Sequence, residues 1–178
     1  MYIHETQNWP NFTWNREQID AKLIKVSKAA GYLEGRMSAI GFDVQQQAAV
    51  EALTYDIVSS SEIEGVLLNS DQVRSSVARR MGVHITNETE PSHYIEGVVE
   101  MMLDAVNNFA SPLTHDRLFG WHNCLFPTGR SGMEPINVGK YRVDPMDVIS
   151  GIWEREQVHY HAPAAELVPD EMQKLLDW

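Results

Sequence analysis

Residues 15–41, NREQIDAKLIKVSKAAGYLEGRMSAIG, decide how the rest of the chain is read. The apolar positions Ile19, Leu23, Val26, Ala30, Leu33, Met37 and Ile40 step by four, three, four, three, four and three. That is the signature of one continuous amphipathic helix. Asn15 followed three residues later by Gln18 is a capping-box-like start, and Gly41 marks the end. Asp43, followed by Gln46, predicts the opening of a second helix through Val50, Leu53 and Ile57. A connection of two residues makes the pair an antiparallel helical hairpin. The same spacing would suit a coiled-coil partner, but it lasts little more than three heptads, so the seam is expected to close within the chain.

Working outward, a third helix is expected from Asn69 to Gly82, a residue suited to a left-handed cap, with Val73, Val77 and Met81 as its buried stripe. Arg74, Arg79 and Arg80 on that helix read as a solvated or internally paired face. A fourth helix runs from about Pro91 to Phe109 with Ile95, Val98, Val99, Met102, Val106 and Phe109 inward, and a fifth from Thr114 to Leu125. The run Pro127-Thr128-Gly129-Arg130-Ser131-Gly132 is loop chemistry. Asp147–Ser150 and Val158–His161 then read as a β-hairpin around a charged segment containing Gly151, Glu154, Arg155 and Glu156. Pro169 opens a last helical stretch with Met172, Leu175 and Leu176. The chain stops at Trp178 with that helix barely begun, so it is expected to be cut within a longer domain. The fold class is mainly α, a helical bundle with one small β-hairpin.

Composition narrows the function classes. A chain of 178 residues with 43% hydrophobic residues can bury a core without a disulfide or metal staple. Cys124 has no second cysteine to pair with, no run approaches a membrane span, and the start is too polar and aromatic for a signal peptide. The expected compartment is the cytoplasm. The net charge is −11, divided as 8 − 10 = −2 over residues 1–82 and 6 − 15 = −9 over 83–178. Neither half offers the basic face that nucleic acid needs, and no membrane partner is expected.

The seven histidines include no metal-ligand arrangement. His159 and His161 sit two apart on one face of a strand with no third ligand at a fixed spacing, and His115 with His122 suits packing or capping. Cys124, beside Leu125 and Phe126, reads as a small buried hydrophobe. One cluster stands apart. Ser59-Ser60-Ser61-Glu62-Ile63-Glu64-Gly65 follows the second helix and puts Ser60 one turn before Glu64. By spacing alone it is a helix terminus capped by Gly65. Yet a carboxylate at the negative end of a helix is unfavourable until a cation meets it, and a guanidinium is the natural partner.

Ser60-x-x-x-Glu64-Gly65 resembles the inhibitory motif of Fic proteins: Ser or Thr, three residues, Glu, then Gly or Asn. The run Gly139-Lys140-Tyr141-Arg142, the hairpin 147–161, Ala162-Pro163 and the helix reaching Trp178 are similar to the Fic core up to its target-binding flap. Residues 1–82, from Trp9-Pro10-x-Phe12-x-Trp14 to Val73-Arg74-Ser75-Ser76, resemble the helical domain that often precedes that core. The division implied is an N-terminal helical domain over 1–82 and the first part of a Fic core over 83–178.

The resemblance implies an adenylyltransferase that moves AMP from ATP to a hydroxyl of a target protein, with ATP and Mg as cofactors of the complete protein. Its signature, His-Pro-Phe-x-x-Gly-Asn-Gly-Arg, is absent: no histidine here is followed by Pro. This chain alone is therefore expected to be inactive, with no catalytic residue and no tightly bound cofactor. Carried over by position, Glu64 is the inhibitory carboxylate, Ser60 helps hold it and Gly65 completes the motif. Ile149, Ser150 and Gly151 would line the nucleotide, and Val158, His159 and Tyr160 would take up a target segment by strand addition. Homo-oligomers are compatible with this reading. The competing expectations are a non-enzymatic helical adaptor and an antitoxin-like inhibitor that supplies Glu64 in trans.

Overall fold

A computed structural model describes residues 2–151 and 155–178, so Glu154 of the charged segment lies outside the described residues. The elements are α1 (Arg16–Ser38), α2 (Phe42–Ile63), α3 (Ser70–Met81), α4 (His93–Asn107), α5 (His115–Leu125), β1 (Arg130–Ser131), β2 (Glu134–Pro135), β3 (Asp147–Ser150), β4 (Gln157–His161) and α6 (Val168–Asp177). The fold is mainly α, with small antiparallel hairpins as its only sheet among the described residues. β1 and β2 form a second, two-residue hairpin where loop chemistry alone was expected. Gly129 and Gly132 adopt positive φ there and turn the chain back on itself. Among the described residues, no helix is long and apolar enough to cross a membrane.

The residues group into two units, Met1–Ala49 and Val50–Trp178. In the first, Asn15 caps α1 by accepting the backbone N–H of Gln18 at 3.2 Å. The Gln45 side-chain amide donates to the carbonyls of Met37 (2.8 Å) and Ile40 (2.7 Å), which satisfies two of the acceptors that a helix end leaves open. α2 begins at Phe42, one residue before the expected Asp43, because the Gly41 carbonyl already accepts from Val44 and Gln45. Asp43 sits in the first turn, where its charge suits the helix dipole. The expected internal seam does not form in this unit: no residue of α1 is buried. Only the first turns of α2 belong to the same unit, too short a surface to cover a stripe of 23 residues.

The second unit holds the core. Val50 and Ile57 of α2, Val73, Val77 and Ala78 of α3, and Ile95, Val98 and Val99 of α4 form one buried cluster, with Met102 and Leu125 packed against it. Thr54 is buried in the same stripe, and its hydroxyl donates to the Val50 carbonyl at 2.7 Å. α3 starts on Asn69, whose side chain accepts from Gln72 N at 3.0 Å, and ends on Gly82 at φ +68. Arg74 meets Glu51 at 2.6 Å, Arg79 meets Glu90 at 3.3 Å, and Arg80 reaches Glu96 at 2.9 Å and Glu100 at 3.2 Å. The arginine cluster is thus an internally paired face.

α4 starts on Ser92 and stops at Asn107, so Phe109 lies beyond its end and is 84% exposed rather than inward, and Val106 in the last turn is 45% exposed. Asn108 ends the helix by donating its side-chain amide to Asp104 Oδ1 at 2.7 Å. α4 and α5 approach so closely at Gly97 that a Cβ built there would lie 1.9 Å from the Cys124 carbonyl oxygen. Only a residue without a side chain permits that approach.

Candidate functional site

The end of α2 is built by hydrogen bonds that its sequence encodes. Gly65 adopts φ +78, its N–H donates to the Glu62 carbonyl at 2.9 Å, and the Val66 N–H donates to the Ser61 carbonyl at 2.8 Å. This is the paired 5→2 and 6→1 pattern of a Schellman end, with Glu64 at the C-cap position. The same pattern closes α3 at Gly82, where Val83 N donates to the Ala78 carbonyl at 2.9 Å. By its backbone, then, the Ser60–Gly65 run is an ordinary helix terminus.

Its side chains lie on a less ordinary surface. Ser60, Ser61 and Glu64 line one wall of a groove of about 200 Å³, faced by Tyr94, Val98, Met101 and Met102 of α4 and by Leu125 of α5. The floor is apolar because α2 and α4 both turn their core stripes toward this seam. Among the described residues, no cation lies within salt-bridge distance of Glu64 and no donor reaches its carboxylate. An acid at a helix C-terminus, beside apolar wall and without a counter-charge, costs roughly 0.3–1 kcal/mol relative to a neutral residue. The site offers a fork-shaped cation both charge and room.

The hairpin β3–β4 contributes the other candidate residues. Asp147 pairs with His161, Val148 with Tyr160, Ile149 with Val158 and Ser150 with Gln157, with the register shifting between Val148 and Ile149. His159 is the extra residue of that bulge, which breaks the strict alternation expected to put His159 and His161 on one face. The two histidines instead have separate partners: His159 Nε2 hydrogen-bonds Ser150 Oγ at 2.6 Å, and His161 Nδ1 donates to Asp147 Oδ1 at 3.0 Å. Ile149 is 49% and Val158 43% exposed. Gly151, at φ +111, begins the turn, and a Cβ there would meet the Arg155 carbonyl at 2.3 Å. None of Ile149, Ser150, Gly151, Val158, His159 or Tyr160 lines the groove beside Glu64.

A polar junction that the sequence reading missed fixes α4 to α5. Arg117 Nε donates to Asp104 Oδ2 at 2.8 Å and Nη2 to the Asp104 carbonyl at 3.0 Å, while Trp121 Nε1 donates to the same Oδ2 at 2.7 Å. The Arg117 guanidinium lies 5.0 Å from the Trp121 ring centre. These bonds, led by that from Arg117, pull the Asp104 carboxyl down to about 2. No local motif announces such a trio, because its members are neighbours only after the helices turn back on each other.

The Gly139–Arg142 run is anchored on α5 as well. The Gly139 N–H donates to His122 Nδ1 at 3.3 Å, and Tyr141 OH meets His115 Nδ1 at 2.5 Å. His115 Nε2 bonds Gln173 Oε1 at 2.9 Å, and the amide nitrogen of Gln173 is taken by Asp177. Gln173 therefore presents its oxygen to Nε2, which must carry the proton, leaving Nδ1 to accept from the tyrosine. Both α5 histidines are structural. Burial pushes the Cys124 thiol up, aided by Glu100, which lowers the share of the reactive thiolate. Among the described residues, no three His, Cys, Asp or Glu side chains gather to hold a metal ion.

Comparison with known proteins finds that a family model described as a domain of unknown function, DUF4172, matches residues 2–83. No curated protein matches the chain.

Proposed function

We propose that this chain is the N-terminal portion of a cytoplasmic, Fic-type protein adenylyltransferase, held inactive by Glu64. The observation that carries the reading is the position of Ser60 and Glu64 on one groove wall, with the Glu64 carboxylate unmatched by any cation among the described residues. In the complete protein an arginine of the catalytic signature would meet Glu64. One carboxylate then occupies the guanidinium fork and repels an incoming γ-phosphate, so ATP is kept from its productive pose. The hairpin would present Ile149, Ser150 and Gly151 to the nucleotide, and Val158, His159 and Tyr160 to an extended segment of the target. Two hydrogen-bonded strands with exposed side chains are a fit template for strand addition. Mg and the phosphates would be held by the catalytic signature of the complete protein.

The test is auto-AMPylation by the whole encoded protein, with Glu64→Gly against wild type and Glu62→Gly as the matched control. Removing one charge-assisted pair and one repulsion is worth roughly 1.5–3 kcal/mol, so Glu64→Gly should raise transfer at least about tenfold while Glu62→Gly changes little. The 178-residue chain alone should transfer no AMP. Equal rates for wild type and Glu64→Gly would reduce the Ser60–Gly65 run to a helix cap. A helical adaptor is the second reading, favoured by the open apolar stripe of α1.

A further inference from the structure

Within the unit Met1–Ala49 the apolar stripe of α1 is left uncovered. Leu23 is 55%, Val26 65%, Leu33 61% and Ile40 39% exposed, in a helix of 23 residues with no buried residue. Its repeat is strictly seven residues, which drifts across the face of a straight helix by about 20° per heptad and stays aligned only against a helix that supercoils with it. The stripe is therefore shaped for another long helix rather than for a flat surface. Among the described helices, α2 spends its apolar positions Val50 and Ile57 in the core, and α6, with 10 residues, is too short. A copy of α1 has the same length and the same repeat.

Charge selects the orientation. With Leu23, Ala30 and Met37 at a positions and Ile19, Val26 and Leu33 at d, the flanking e positions are Asp20, Ser27 and Glu34, and the g positions are Asn15, Lys22, Ala29 and Arg36. Antiparallel copies in full overlap would set Asp20 against Glu34 and Lys22 against Arg36, each twice, all of like sign. Parallel copies set Asn15 against Asp20, Lys22 against Ser27 and Ala29 against Glu34, and leave Arg16 against its own copy as the one like-charge meeting among these positions, against four in the antiparallel register. Arg16, at the a position of the first turn, is long enough to reach water.

We propose that α1 binds a second copy of this chain as a parallel coiled coil. The interface is Ile19, Leu23, Val26, Leu33 and Met37, and it is independent of any catalytic role. Leu at a with Ile or Val at d also suits more than two strands, so the decisive readouts are dependence on α1 and parallel orientation.

The experiment uses the 178-residue chain in sedimentation equilibrium over a wide dilution series. Wild type should self-associate. Val26→Glu with Leu33→Glu should weaken association at least about a hundredfold, since each copy loses two apolar contacts and gains two like charges. Ala21→Glu, which adds a carboxylate outside the seam, should leave association unchanged, and equal far-UV dichroism of all variants at high dilution excludes unfolding. In a Cys124→Ser background, Leu33→Cys should oxidise to a disulfide-linked dimer, because parallel copies place residue 33 opposite itself. In the antiparallel register residue 33 faces residue 23, about 15 Å away along the helix. A monomer at every concentration, association insensitive to Val26→Glu with Leu33→Glu, or failure of Leu33→Cys to cross-link would each overturn the proposal.

Discussion

Replacing Gly97 by Ala gives a sharp test of how the second unit is packed, because helix propensity and packing pull in opposite directions. In the interior of a free helix this substitution stabilises by about 0.8–1 kcal/mol. At Gly97 the added Cβ would stand 1.9 Å from the Cys124 carbonyl oxygen and 2.8 Å from its carbonyl carbon. To restore even 3.0 Å the end of α5 must retreat by 3.0 − 1.9 = 1.1 Å. The obstacle is backbone, with no rotamer to turn aside, so the upper end of the overpacking range applies, about 3 kcal/mol. The net expectation is a loss of about 2 kcal/mol, or roughly 6–10 °C in Tm for a unit of this size. Gly120→Ala on α5 is the internal control. Nothing lies within 4 Å of its Cβ position, so it should gain about 0.5–1 kcal/mol and raise Tm by roughly 2–5 °C. Thermal and urea unfolding followed by far-UV dichroism measure both. A Gly97→Ala variant as stable as wild type would refute the close contact between α4 and α5.

Asp104 should give the second unit an acid limb. Its carboxyl is held at about 2 by the hydrogen bond from Arg117, then by Asn108 and Trp121, against about 3.9 in an unfolded chain. The folded value is depressed, so the stabilisation is fully present above about pH 4 and is lost as pH falls toward 2; urea midpoints between those limits should fall in wild type and flatten in Asp104→Asn. Gly82→Ala forces a Cβ into φ +68 and should cost about 1–2 kcal/mol, read as a lower urea midpoint with unchanged slope. Asn69→Ala removes the cap that accepts from Gln72 and should cost about 1 kcal/mol, whereas Asn69→Asp should be nearly neutral.

The candidate site was legible to the extent that it is local. Ser60, Glu64 and Gly65 are joined by one helical turn and one positive φ, and both follow from residue spacing and from the freedom of glycine. Invisible in that run was the opposite wall of the groove, because Tyr94, Met102 and Leu125 come from helices later in the chain. The hairpin shows the same division. Its two strands follow from residue type, whereas the bulge at His159 is a matter of register, and with it His159 reaches Ser150 while His161 reaches Asp147.

The sequence by itself determined the helices and most of their ends. Periodicity, Asn15, Asn69, Thr114 and Gly82 act within a turn or two, where hydrogen bonds and burial patterns involve near neighbours. Tertiary structure decided which of the apolar stripes became core. Those of α2, α3 and α4 meet and exclude water together, while that of α1, just as regular in sequence, finds no helix of matching length in its own unit and is left uncovered there. It also assembled Asp104, Arg117 and Trp121, and it placed a backbone carbonyl where Gly97 has no side chain. Burial depends on what lies opposite, and a periodic stripe records only that one face is apolar.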